Sequence, residues 1–370
     1  MASTAHSPRS VVSPPRSIQG PSTPAGYLIS HRINDSFILI NRLLKSNCDV
    51  YWLKTQITAD GEALGTGSIW VPASAAARSI LEQGARDLGI PIHAAAPAPT
   101  GDALKLKPIR IGLYDQYGGL MPSGWTRWLF EQFEFPFEVV YPQTLDAGDL
   151  KSRFDVLVFP DGSARFNPGG GRGGGGAQPP PDSIPAEFRS WLGRITADKT
   201  IPQLKKFAES GGAIVAIGSS TSMAELLGLP LKNYLTEKSP DGRTRPLPQE
   251  KFYIPGSILR ATVDNTNPLA YGMSATADID FDSSPVFRLE PGRGRSARRQ
   301  WLGIPARRCW RAAGPGASSI WTAEPRRRWL PSARGKSSCL VPRSRSGDRR
   351  TEPSSSCSIA CTTARRRRAR

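Results

Sequence analysis

"AIVAIGSSTSMAELLGL" (residues 213–229) changes character part-way along. Residues 213–218 form a short apolar run ending in glycine, the pattern of a strand buried on both faces. Residues 220–229 read as a helix, so Gly218, Ser219 and Ser220 fall on the turn between the two. Working outward, "IRIGLY" (109–114), "FEVVYP" (137–142) and "FDVLVFPDG" (154–162) are three more runs of the same kind. Helical patterns separate them: "SGWTRWLFEQFEF" (123–135), with Trp125, Leu129 and Phe133 on one face, and "KTIPQLKKFAESGG" (199–212), closed by Gly211 and Gly212. Strand and helix in alternation predict a doubly wound α/β domain with a parallel sheet.

Ahead of it, residues 27–95 predict a smaller α/β unit. "GYLIS", "CDVYWL" and "SIWVPA" are strand-like. Ile33, Phe37, Ile40 and Leu44 fall at helical spacing, with Asn34 and Asp35 as capping candidates. "AAARSILEQGARDLG" is a helix ending at Gly89, and "IPIHA" follows it. The expected layout is a disordered Pro/Ser linker at 1–26, the small unit at 27–95 and a linker at 96–107. The larger domain spans 108–292 with a Gly/Pro-rich insertion at 167–183, and a basic tail occupies 293–370. The N-terminal segment has no apolar stretch of the signal-peptide kind, and no run approaches the ~20 apolar residues of a membrane span.

Charge separates the tail from the rest. The chain carries a net +18, yet residues 291–370 hold 21 of its 49 basic and 3 of its 31 acidic side chains, leaving 28 of each before them. The body is neutral, which argues against a nucleic-acid partner for it. Four of the five cysteines also lie in the tail, so Cys48 stands alone in the body and no disulfide framework exists there. Three readings of the tail compete: a disordered basic segment, an arm that grips nucleic acid, and an out-of-frame product. The genetic code supports the third. Taking the last base of each codon with the first two of the next, residues 351–363 can read GTFKFLFNxLYY, with x Arg, Ser or Cys. Residues 336–347 can read VLLFGPEIAFR. One is an amphipathic-helix pattern and the other a buried strand.

Three candidate sites arise. The glycine-rich stretch "NPGGGRGGGGAQPPPDS" runs into polyproline and lacks the Lys-Ser/Thr pair of a phosphate loop, so it reads as a surface insertion. "YDQYGG" follows the first strand of the larger domain. Asp115, Gln116, Gly118 and Gly119 there, with Ser219, are candidates for a ligand crevice at the carboxyl edge of the sheet. Turn chemistry, with Trp125 and Trp128 as core aromatics, is the competing reading. Ser219 and Ser220 are candidate nucleophiles or, on the plainer reading, helix caps. No histidine follows residue 93, so a Ser-His pair within this domain is excluded.

"IRIGLYDQYGGLMPSGWTRWLFEQFEFPFEVVYPQTLDAGDL", "TIPQLKKFAESGGAIVAIGSSTSMAELLGLPLKNYL" and "EKFYIPGSILRATVDNTNPLAYGM" resemble the C-terminal region of large bacterial carboxypeptidase A-like zinc metallopeptidases. That region is similar to class I glutamine amidotransferases, and the alternative-frame tail resembles its ending. The resemblance implies a flavodoxin-like sheet, a zinc peptidase domain elsewhere as parent and partner, and a periplasmic or secreted setting. It also implies what this chain lacks. His6, His31 and His93 have no Glu three positions on, so no His-x-x-Glu ligand pair is present, and no Cys stands at the elbow of the amidotransferase pattern. The expectation is therefore a chain without its own cofactor. It would bind a small ligand or pack on a peptidase domain, with a serine hydrolase at the elbow as the alternative and nucleic-acid binding through the tail as the third.

Overall fold

The computed structural model describes residues 14–164, 178–252, 254, 256–281 and 286–289. The tail and most of the glycine-rich insertion lie outside the described residues. The chain divides into two compact units.

The first unit is built on β1 (Gly26–Ile29), α1 (Ser36–Lys45), β2 (Tyr51–Leu53), β3 (Thr58–Ala59), β4 (Glu62–Ala63), β5 (Ile69–Pro72), α2 (Ala75–Leu88), β6 (Ile92–Ala95) and β7 (Ala103–Lys105). Its five-stranded sheet, in the order β6-β1-β5-β2-β7, is antiparallel at each pairing. Leu39, Ile40 and Leu43 of α1 and Ala77, Leu81 and Ala85 of α2 close over Tyr27, Ile29, Ile69, Val71 and Ile92. Ser74 caps α2 by accepting from the Ala77 N–H, and Gly89 ends it at φ 63, the left-handed conformation that glycine adopts without a steric cost. The expected cap of α1 differs. Asp35 holds the N-cap position but makes no side-chain cap bond, and the Ser36 hydroxyl instead donates to the Ser30 carbonyl.

Two stretches read as linkers carry structure. Residues 103–105 form β7, paired in register with β2. Gln19 bridges His93, the Arg16 N–H donates to the Ala85 carbonyl, and Ile18 packs on the core. Pro and Ala richness predicts little regular structure, yet a few extended residues suffice to complete an open sheet edge.

The second unit holds β8 (Ile111–Tyr114), α3 (Met121–Gln132), β9 (Phe137–Val140), α4 (Pro142–Ala147), α5 (Leu150–Arg153), β10 (Val156–Phe159), α6 (Thr200–Glu209), β11 (Ala213–Ala216) and α7 (Met223–Leu226). Residues 131–132 of α3 group with the first unit. β8 to β11 form a four-stranded parallel sheet in the order β11-β10-β8-β9, as the alternation of strand and helix predicts. Short antiparallel pairs follow, made by β12 (Leu231–Asn233), β13 (Thr236–Lys238), β14 (Thr244–Pro246), β15 (Ser257–Thr262), β16 (Thr276–Phe281) and β17 (Phe287–Leu289).

The two faces of the parallel sheet are unequal. Tyr114, Val140, Leu157, Phe159, Ile214 and Ala216 share one face, buried beneath Leu145, Leu150, Ile201, Leu204, Phe207, Met223 and Leu227 from α4 to α7. On the other face Ile111, Leu113 and Val158 are buried, whereas Phe137, Val139, Val156, Ala213 and Val215 are half-buried. The helix α3 buries one residue, Ser123, whose hydroxyl donates to the Tyr114 carbonyl. The expectation of core tryptophans fails here: Trp125 is 63% exposed and Trp128 49%. Phe133, expected on the helix, lies beyond its end.

Candidate functional site

β8, β10 and β11 are parallel, so their carboxyl ends open along one edge, where open α/β sheets bind ligands. Three loops meet that edge.

The loop after β8 is a closed turn. Asp115 Oδ1 accepts from the N–H groups of Gln116 at 2.8 Å and Leu120 at 3.0 Å. The carboxyl group is half-buried, and that burial raises its pKa against the opposing pull of the two N–H bonds. Gly118 (φ 87) and Gly119 (φ 73) stand in open space, where a Cβ would meet nothing within 4 Å. They serve the left-handed turn, not a close approach of another backbone.

The loop after β11 is built differently. Gly218 adopts φ +58, and a Cβ placed on it would lie 2.4 Å from Asp161 Oδ1. Asp161 follows β10, and its Oδ1 accepts from both the backbone N–H and the hydroxyl of Ser219, each at 2.6 Å. The Ser219 hydroxyl in turn accepts from the Gly162 N–H at 3.0 Å. Ser220 is fully buried, donating to the Pro160 carbonyl at 2.6 Å and accepting from the Ala164 N–H at 3.3 Å. The expected role as helix caps is thus corrected. The segment Gly218–Ser222 is a 3-10 turn leading into α7, and neither element has a side-chain cap bond. The two hydroxyls are spent on the neighbouring loop, whose buried N–H groups have no strand or helix to satisfy them.

The candidate residues therefore fall into two groups. Asp115, Gln116, Gly118 and Gly119 belong to one turn, whereas Ser219 and Ser220 form a cluster with Asp161. Two strand spacings, about 10 Å, separate β8 from β11. Asp161 went unnoticed in the sequence because "PDG" reads as an ordinary turn; an acidic residue at a strand's carboxyl end facing a second such end is the signal that marks it.

The histidines lie in the first unit. His31 is buried, with Nδ1 2.9 Å from the Gly67 carbonyl oxygen and its ring against Trp52 and Phe37. Burial lowers its pKa from the ordinary 6.5, outweighing the bond to Gly67. The folded state thus favours the neutral ring. Its contribution to stability is complete above pH 6.5 and is lost as pH falls through the lowered folded value. The melting temperature should accordingly drop on acidification below that point, and less steeply in His31→Gln; parallel profiles of the two proteins would refute the assignment. His93 is also buried, with Nδ1 2.7 Å from Asp60 Oδ2.

These residues do not fit a zinc site. Zinc requires three convergent ligands, and among the described residues no group of three or more His, Cys, Asp or Glu is placed to hold a metal ion. Among the same residues no helix is long and apolar enough to cross a membrane. Comparison with family models, curated proteins and solved structures returns no match.

Proposed function

We propose that this chain is a non-catalytic accessory region of a zinc carboxypeptidase-like protein, with a flavodoxin-like, amidotransferase-like second unit. The observation that carries this reading is Gly218. A nucleophile at such an elbow occupies the strained turn between strand and helix. Here the left-handed residue of that turn is a glycine packed on Asp161, so the position offers no reactive atom. The serines after it have their hydroxyls committed to Asp161, Gly162, Pro160 and Ala164. The strand order, with the first strand between the second and third, supports the flavodoxin-like reading, whose full form adds a fifth strand. The role left to the unit is to hold a small ligand near the Asp115 turn or to pack on a peptidase domain.

Two measurements test this. The purified chain should bind no stoichiometric zinc and release no C-terminal residue from peptides; one zinc per chain with chelator-sensitive carboxypeptidase activity would overturn the proposal. A fluorophosphonate probe should label neither Ser219 nor Ser220. Ser220→Ala, which strands the Ala164 N–H, should destabilise by about 1–3 kcal/mol, and Ser219→Ala should do likewise through Gly162. Labelling abolished by either alanine variant would instead establish the hydrolase.

A further inference from the structure

We propose that the first unit holds a binding site for a small phosphate monoester, in a cavity between α2 and residues 16–24. That segment is rich in Pro and Ser, yet backbone hydrogen bonds fasten it at both ends and in the middle. The Arg16 N–H donates to the Ala85 carbonyl of α2, and the Ala25 N–H donates to the Ala95 carbonyl of β6. Between them Gln19 donates to the Ile92 carbonyl and accepts from the Ala94 N–H. A Cβ on Gly20 would lie 2.5 Å from the Ala94 carbonyl oxygen, so glycine is what lets the segment press this closely on β6. Against α2 the segment leaves a cavity of about 310 Å3, the size of a small-ligand site.

The lining is predominantly cationic. Arg78, Glu82 and Arg86 recur every four residues on α2 and so share a helix face, and Arg16 joins them from the segment. Three arginines against one glutamate leave a net +2, in a body whose basic and acidic side chains are equal in number. Arg78 Nε donates to Glu82 Oε1 at 2.8 Å, whereas Arg16 and Arg86 have no carboxylate partner among the described residues. Tyr27 also lines the cavity. It is 3% exposed, and its hydroxyl has no hydrogen-bond partner among the described residues. Such a hydroxyl is a donor held ready for an acceptor. A phosphate monoester suits this set. At neutral pH it carries about two negative charges and three strong acceptor oxygens. Guanidinium forks bind those oxygens bidentately, whereas a monocarboxylate would leave a charge and several donors unused. Ile18, Pro21, Pro24 and Ala94 give an apolar wall to the organic part, which inorganic phosphate lacks.

The site lies wholly in the first unit and does not depend on how the tail is read. Calorimetric titration of the full chain with phenyl phosphate at neutral pH should show one saturable site, with weaker binding of inorganic phosphate and of succinate. Arg16→Gln/Arg86→Gln should weaken the phenyl phosphate site by at least about tenfold, and Tyr27→Phe by about tenfold, as the loss of hydrogen bonds to a charged group predicts. None of these side chains bonds another described residue through the group removed, so the unliganded variants should melt with the wild type. The basic tail is the competing anion site. Changing Arg365, Arg366, Arg367 and Arg368 together to Gln should leave the affinity unchanged. Binding that is lost in this tail variant but kept in Arg16→Gln/Arg86→Gln overturns the proposal. So does the absence of saturable binding, or an equal affinity for succinate or inorganic phosphate. If a variant does not fold, phenylglyoxal modification of the wild-type chain decides. Phenyl phosphate must protect Arg16 and Arg86, and unaltered modification of both refutes the site.

Discussion

On the proposed out-of-frame reading of the tail, restoring the frame after about residue 292 should raise the melting temperature by roughly 10 °C, the largest single effect expected for this protein. On one face of the parallel sheet Ile111, Leu113 and Val158 are buried but Phe137, Val139, Val156, Ala213 and Val215 are only half-buried, and α3 buries no apolar side chain. Each ~100 Å2 of apolar surface removed from water contributes about 2.5 kcal/mol. A further strand and helix on this sheet would add burial of that order, against a typical domain stability of about 5–15 kcal/mol. Among the described residues β11 has no strand on its outer side, and pairing that edge would remove a common route to association. The restored chain should therefore be more soluble as well as more stable. Equal melting temperatures in the two versions would show that the tail has been misread.

Gly218→Ala should be the most damaging substitution at the elbow, at about 2–4 kcal/mol. Two costs combine. A left-handed conformation is strained for a residue with a Cβ by about 1–2 kcal/mol. That Cβ would also sit 2.4 Å from Asp161 Oδ1, forcing away the carboxylate that holds the backbone N–H and hydroxyl of Ser219. Asp161→Ala is the matching control. It removes the clash but strands the Ser219 N–H, so the double variant should be less unstable than the sum of the singles. Strict additivity in denaturant unfolding would mean that Gly218 and Asp161 are not coupled.

Much of the architecture is written in local pattern. Val156–Phe159 and Ala213–Ala216 are apolar runs too short for helices, and glycines end two helices where expected, Gly89 at φ 63 after α2 and Gly211 at φ 91 after α6. Such signals involve neighbours in sequence, which is why they can be read. What could not be read depends on partners distant in the chain. The spacing of Trp125 and Leu129 announces an apolar helix face but is silent on whether anything covers it. The hydroxyls of Ser219 and Ser220 look like caps because a helix follows them. Their partners, Asp161 and the Pro160–Ala164 loop, come to them only through the parallel pairing of β10 with β11. β7 was hidden for the same reason, since its pattern gains meaning only beside β2.

The central proposal is that this chain is an accessory region of a zinc carboxypeptidase-like protein whose tail is read out of frame. Sequencing the gene through both flanks tests it most directly. The account predicts an upstream reading frame encoding His-x-x-Glu and a distant third zinc ligand. It also predicts a single change of frame near residues 291–300, beyond which the strand and helix strings are restored. A gene with no such upstream frame, and a tail whose alternative frame is broken by stop codons, would contradict it.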